Sequence, residues 1–121
     1  MATKLTLVVI RVAELEKSVE VYRALGLPLV KEQHGKSPEH YSATVAETTL
    51  ELYPLTSDSE KTRSTRLGFS VDHGRLDEVL SVVQSFGCLL ILTPKESPWG
   101  RRAVIEDLDG HKVELIEAST Q

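Results

Sequence analysis

Apolar and polar positions along this chain switch repeatedly between a strand period and a helix period. "LTLVVIRV" (5–12) is short, apolar and rich in β-branched residues, the make-up of a largely buried strand. "ELEKSVEVYRALG" (14–26) follows, with Leu15, Val19, Tyr22 and Leu25 near helical spacing and Gly26 where a helix stops. "LPLVKEQH" (27–34) predicts a strand, and "GKSPE" (35–39) predicts a turn. "YSATVAE" and "TLELYP" alternate well enough to be two further strands. The first half therefore has the order β-α-β-β-β.

"LTSDSEKTRST" (55–65) is polar, has no apolar period and predicts a linker. The order then recurs. "RLGFSVD" (66–72) predicts a strand, and Leu76, Val79, Leu80, Val83 and Phe86 form an apolar stripe in "GRLDEVLSVVQSFG" (74–87) that ends at Gly87. "CLLILTP" (88–94) predicts a strand, "KESPWG" (95–100) a loop, and "RRAVIED" and "HKVELIE" a hairpin across "LDG". "ALG" (24–26) lies over "SFG" (85–87), and "LELYPL" (50–55) over "VELIEA" (113–118), so Glu51 and Glu114 are twins by internal repeat. The fold class is α+β. A single domain, 1–121, holds two βαβββ modules in tandem: module one at about 4–54, a linker at 55–65, and module two at about 66–118.

Each module has one helix, enough to cover one face of a small sheet. Strands alternate faces. Val113 and Leu115, Leu50 and Leu52, and Leu67, Phe69 and Val71 should pack under the helices. Leu7, Arg11, Glu51, Tyr53, Arg66 and Glu114 should then lie on the other face. If the mixed sheet curves into a cleft, these residues line it. The alternative is that the two carboxylates are solvated strand residues.

Composition narrows the function classes. The 121 residues are 40% hydrophobic and 26% charged, as in a soluble globular protein. The net charge of −4 argues against a nucleic-acid partner. The single cysteine, Cys88, permits no intramolecular disulfide and suits a reducing compartment. The apolar run near the start is stopped by Arg11, too short for a secretory core or a membrane span. A cytoplasmic protein with no membrane partner is expected. Cys88, among Leu89, Leu90 and Ile91, is expected to be a buried small residue and not a nucleophile.

The repeated order, "VIRVAELEKSVEVYRALGLPLV" near the start and "DLDGHKVELIE" at the end together resemble the vicinal oxygen chelate superfamily. Its members include glyoxalase I, extradiol dioxygenases, fosfomycin resistance enzymes and bleomycin resistance proteins. The resemblance implies the glyoxalase/bleomycin resistance-type fold over roughly residues 5–118. It also implies that a metal, where used, is bound from the first and last strand of each module. The last-strand positions match Glu51 and Glu114, and the first-strand positions fall on Leu7 and Arg66. Leucine has no donor atom, and arginine stays protonated. No cofactor is therefore expected. If a divalent metal such as Zn, Ni, Mn or Fe were bound after all, Glu51 and Glu114 would be its ligands.

Arg66 is instead expected to take the metal's place, paired with Glu51, Glu114 or the anionic end of a ligand, with Arg11 as a second cation. Trp99, the only tryptophan, either covers a flat ligand at the cleft rim or pins its loop to its own domain or a partner. Arg101 and Arg102 should point to opposite faces. The four histidines, His34, His40, His73 and His111, show no mutual ligand spacing and are expected to be solvated loop residues. The favoured function is metal-independent binding of a small organic molecule, planar or anionic, in a cleft between modules, by a homodimer. The alternative is a metal-dependent lyase, isomerase or dioxygenase, similar to lactoylglutathione lyase, using Glu51 and Glu114. A third possibility is a dimeric accessory module with no small-molecule role.

Overall fold

Alternation sets the first strand. In β1 (Leu7–Val12), Ile10 and Val12 are buried, while Leu7 is exposed and Arg11 half-buried. The structure, a computed structural model, describes residues 2–118. The elements that follow are α1 (Leu15–Ala24), β2 (Val30–Glu32), β3 (His40–Val45), β4 (Thr48–Pro54), β5 (Arg66–Val71), α2 (Leu76–Ser85), β6 (Leu89–Ser97), β7 (Gly100–Glu106) and β8 (Lys112–Glu117). They form two four-stranded mixed sheets, ordered β1-β4-β3-β2 and β5-β8-β7-β6, and neither sheet closes on itself. β1 runs parallel to β4 and β5 parallel to β8, and the other pairings are antiparallel. The described residues divide into two compact units with the boundary between Thr62 and Arg63.

Both helices end in the same way, and this explains the textual repeat. Gly26 and Gly87 have φ of +103° and +108°, which β-carbon-bearing residues rarely adopt. Each is followed by an apolar residue whose N–H returns to the helix: Leu27 to the Tyr22 carbonyl at 3.2 Å, and Cys88 to the Val83 carbonyl at 3.1 Å. These are Schellman closures, with Leu27 and Cys88 buried as the hydrophobic contact. Burial pushes the Cys88 thiol up to about 11, so it is a packed side chain with little thiolate character.

Under α1 lie Ile10, Val12, Leu50 and Leu52, and under α2 lie Val71, Val113, Leu115 and Ile105, all buried. Glu117, also on the helix face, accepts the Leu76 N–H at 3.0 Å and so satisfies a free donor at the start of α2.

Three expectations need correction. The second strand spans only Val30–Glu32, since Leu27 and Leu29 are used to close α1 and fill the core. Residues 95–100 are not a loop, because β6 continues to Ser97 and β7 begins at Gly100, leaving Pro98 and Trp99 as the turn. Phe86 is exposed, because it is the C-terminal cap residue of α2 and has rotated off the stripe. The polar segment 55–65 contains the boundary between the two units and is held at both ends: the Leu55 N–H donates to the Val12 carbonyl at 2.8 Å, and the Ser64 N–H donates to the Gly110 carbonyl at 3.1 Å. Among the described residues, no helix is long and apolar enough to cross a membrane.

Candidate functional site

The twin glutamates occupy equivalent ladder positions. Glu51 lies beside Val9 of β1, and Glu114 beside Gly68 of β5, each on the face away from its helix. Their partners differ completely.

In the second unit, Glu114 Oε1 accepts from Arg102 Nη2 at 2.7 Å and from Arg66 Nη2 at 3.3 Å. Arg102 reaches it because Arg102 and Glu114 sit on one sheet face, diagonally across the β7–β8 ladder. Arg101 points the other way, to Asp77 at 2.9 Å and Glu117 at 3.9 Å. The Arg102 hydrogen bond, followed by that from Arg66, holds the Glu114 carboxyl below the usual glutamate range. Two guanidinium groups on one carboxylate leave a local excess of positive charge. That suits an anion and opposes a metal cation.

The acid limb of stability follows from this. A glutamate titrates near 4.3 in an unfolded chain. With the folded value lower, the pair's contribution is complete above that pH and is lost as pH falls through the folded value. The advantage of wild type over Glu114→Gln in urea unfolding should therefore be constant from pH 7 to 5 and shrink below about pH 4. A pH-independent difference would mean that the carboxylate charge contributes nothing.

In the first unit, Glu51 has a histidine neighbour instead. His40 Nε2 lies 3.9 Å from Glu51 Oε2 and 3.4 Å from Glu32 Oε1. His34 Nε2 lies 3.4 Å from that same Glu32 oxygen. Glu32 and His40 are direct cross-strand partners on β2 and β3. The His40 ring stacks on Tyr53 at 4.1 Å and 8°, and the Arg11 guanidinium sits 4.9 Å over the other partner of that stack, Tyr53. Arg11 also lies 4.0 Å from Glu60. Leu7 is exposed and brings no donor.

The solvated-histidine expectation fails for two of the four. His40 and His111 are fully buried. His111 Nδ1 pairs with Asp107 Oδ2 at 2.7 Å, and Asp107 Oδ1 accepts the His111 N–H at 2.9 Å, so this pair builds the β7–β8 turn. His34 and His73 are exposed. The missed signal for His40 was the hairpin. Pairing the strands on either side of residues 33–39 sets Glu32 opposite His40.

Trp99 stands at the tip of the β6–β7 turn, 72% exposed, its N–H held by Ser97 Oγ at 3.2 Å.

The family described as the Glyoxalase/Bleomycin resistance protein/Dioxygenase superfamily matches residues 4–115. The chain belongs to this superfamily. No curated protein matches the sequence. Superfamily neighbours among solved structures include TnmS3, an antibiotic-binding protein from Streptomyces sp. CB03234. It is 26% identical, with a TM-score of 0.70 and 98% of each chain covered. The hypothetical protein SA1046 from S. aureus has a TM-score of 0.75 at 21% identity, covering 98% of this chain and 99% of that one. The fosfomycin resistance protein FosX from Mesorhizobium loti has a TM-score of 0.70 at 18% identity, covering 98% and 95%. The last two likenesses carry the superfamily fold alone.

Proposed function

We propose that this chain is a small-molecule-binding protein that receives the anionic end of an organic ligand at the Arg66–Glu114–Arg102 cluster. The observation that carries this reading is the double arginine contact to one Glu114 oxygen, which orients both guanidiniums on the open face of the second sheet. A guanidinium fork held by one carboxylate keeps donors free for a second. The likeness to an antibiotic-binding protein supports binding over turnover. Binding here needs no metal held by Glu51 and Glu114. The metal-dependent alternative would require a divalent cation to displace two arginines from Glu114, against about 8 kcal/mol of repulsion per guanidinium at 4 Å and an effective dielectric near 20.

The test is calorimetry of the protein with matched pairs of planar aromatic compounds, one member carrying a carboxylate or phosphonate and the other uncharged. Fluorescence of Trp99, the single tryptophan, serves as a second readout. At least one anionic member should bind saturably, and its neutral analogue should bind at least tenfold more weakly. Equal binding of both members of every pair would contradict the reading.

A further inference from the structure

The geometry points to a divalent transition-metal site on the first sheet, built by Glu32, His34 and His40 with Glu51 beside them. It does not use the first-strand positions. Its ligands come from β2, from the turn after it, and from the start of β3. It stands independently of the anion reading, which concerns Arg66, Arg102 and Glu114.

Donor atoms of Glu32, His34 and His40 all lie within 4.8 Å of one another. Each histidine Nε2 is 3.4 Å from Glu32 Oε1. That is long for a hydrogen bond, which falls at about 2.7–3.2 Å. It equals the ligand-to-ligand spacing around a tetrahedral ion, since donors about 2.0–2.1 Å from Zn²⁺ stand about 3.3–3.4 Å apart.

The buried histidine is the decisive member. His40 Nδ1 lies 3.1 Å from the Pro38 carbonyl, which can only accept, so Nδ1 carries the proton. A neutral ring with this tautomer presents its Nε2 lone pair to Glu32 and Glu51. A lone pair facing two carboxylates is repulsive unless a cation or proton lies between them. Tyr53 does not supply that proton well. Its hydroxyl is 3.4 Å from Nε2, but the two rings are stacked nearly parallel, so it approaches out of the imidazole plane. An Nδ1–H anchored on a backbone carbonyl is the usual outer support of a metal-binding histidine.

The surroundings fit in two further ways. The turn that positions His34 is internally fixed. Ser37 Oγ donates to the His34 carbonyl at 2.7 Å, the Ser37 N–H donates to the same oxygen at 3.1 Å, and Gln33 Nε2 donates to the Ser37 carbonyl at 3.1 Å. Among the described residues, no lysine or arginine pairs with Glu32 or Glu51, in contrast to Glu114. Lys31, the nearest in sequence, pairs with Glu16 and Glu39. Two carboxylates balance a dication, and imidazole with carboxylate donors selects Zn²⁺ or a neighbouring first-row ion over Mg²⁺ or Ca²⁺. Three protein ligands leave a fourth position for Glu51 or water.

The experiment is Zn²⁺ titration by calorimetry of the chelator-treated full chain, with Co²⁺ absorption to report tetrahedral geometry. One Zn²⁺ per chain is expected, with Co²⁺ giving the intense visible bands of a tetrahedral site. His34→Ala, which removes an exposed side chain and so tests the site without disturbing the core, should weaken Zn²⁺ at least tenfold. Glu32→Gln should do the same. His73→Ala, in the other unit, should leave the Zn²⁺ affinity unchanged. Absence of Zn²⁺ uptake by wild type would overturn the proposal. So would a wild-type affinity in both His34→Ala and Glu32→Gln.

Discussion

Replacing Leu115 with alanine is expected to remove about 3 kcal/mol of stability, within the 2–5 kcal/mol range for a buried leucine. Leu115 is fully buried on β8, an interior strand, with Phe69 and Ala103 as its ladder neighbours and α2 above. Sheet pairing on both sides keeps the backbone from collapsing into the void, so the cavity cost persists. A fall of about 10 °C in melting temperature should accompany it. Ile116→Ala, one residue along and only half-buried on the opposite face, should cost about 1 kcal/mol or less. If the two variants lose the same stability, then β8 does not have one core face and one open face, and the placement of Glu114 fails with it.

Gly100→Ala should be nearly as damaging, at about 2 kcal/mol or more, for a different reason. Gly100 has φ +129°, a conformation strained for any residue with a β-carbon. An added Cβ would also stand 2.6 Å from the Glu117 carbonyl oxygen. That oxygen cannot retreat freely. Glu117 is paired with Arg101 across the ladder, and its side chain holds the start of α2. Gly68→Ala is the control: it has an ordinary φ, open space around the added carbon, and an expected change within about 0.5 kcal/mol. Urea unfolding of the two variants reads the difference. Near-equality would mean that the β6–β7 turn is looser than the described geometry.

Local periodicity carried most of the fold. The Val19–Tyr22–Leu25 and Leu76–Val79–Leu80–Val83 stripes, each closed by a glycine, needed nothing beyond the segment itself. Face assignment also followed from alternation, because β4 and β8 each bury alternate residues, while β5 alternates exposed with half-buried residues and buries only Val71. What depends on strand register was not legible in the same way. Arg102 reaches Glu114 only through the β7–β8 ladder, whose register the predicted hairpin did not fix. His40 joins Glu32 only because Glu32 and His40 pair across an intervening turn of fixed length. No spacing along the chain announces either contact. Both also show how twin positions diverge. Glu51 and Glu114 share a ladder position, yet one faces the His40 imidazole and the other two guanidiniums, because the neighbouring strands carry different side chains.

The central claim is that the second sheet holds an anionic ligand through arginines ordered by Glu114. Its most direct measurement is the affinity of Arg102→Leu, by calorimetry, for the tightest anionic compound found with wild type. Loss of one charge-assisted contact of about 1.5–3 kcal/mol predicts a weakening of roughly tenfold to a hundredfold. Melting behaviour should still be that of a folded chain, since Arg102 is outside the core. An unchanged affinity in folded Arg102→Leu would contradict the account.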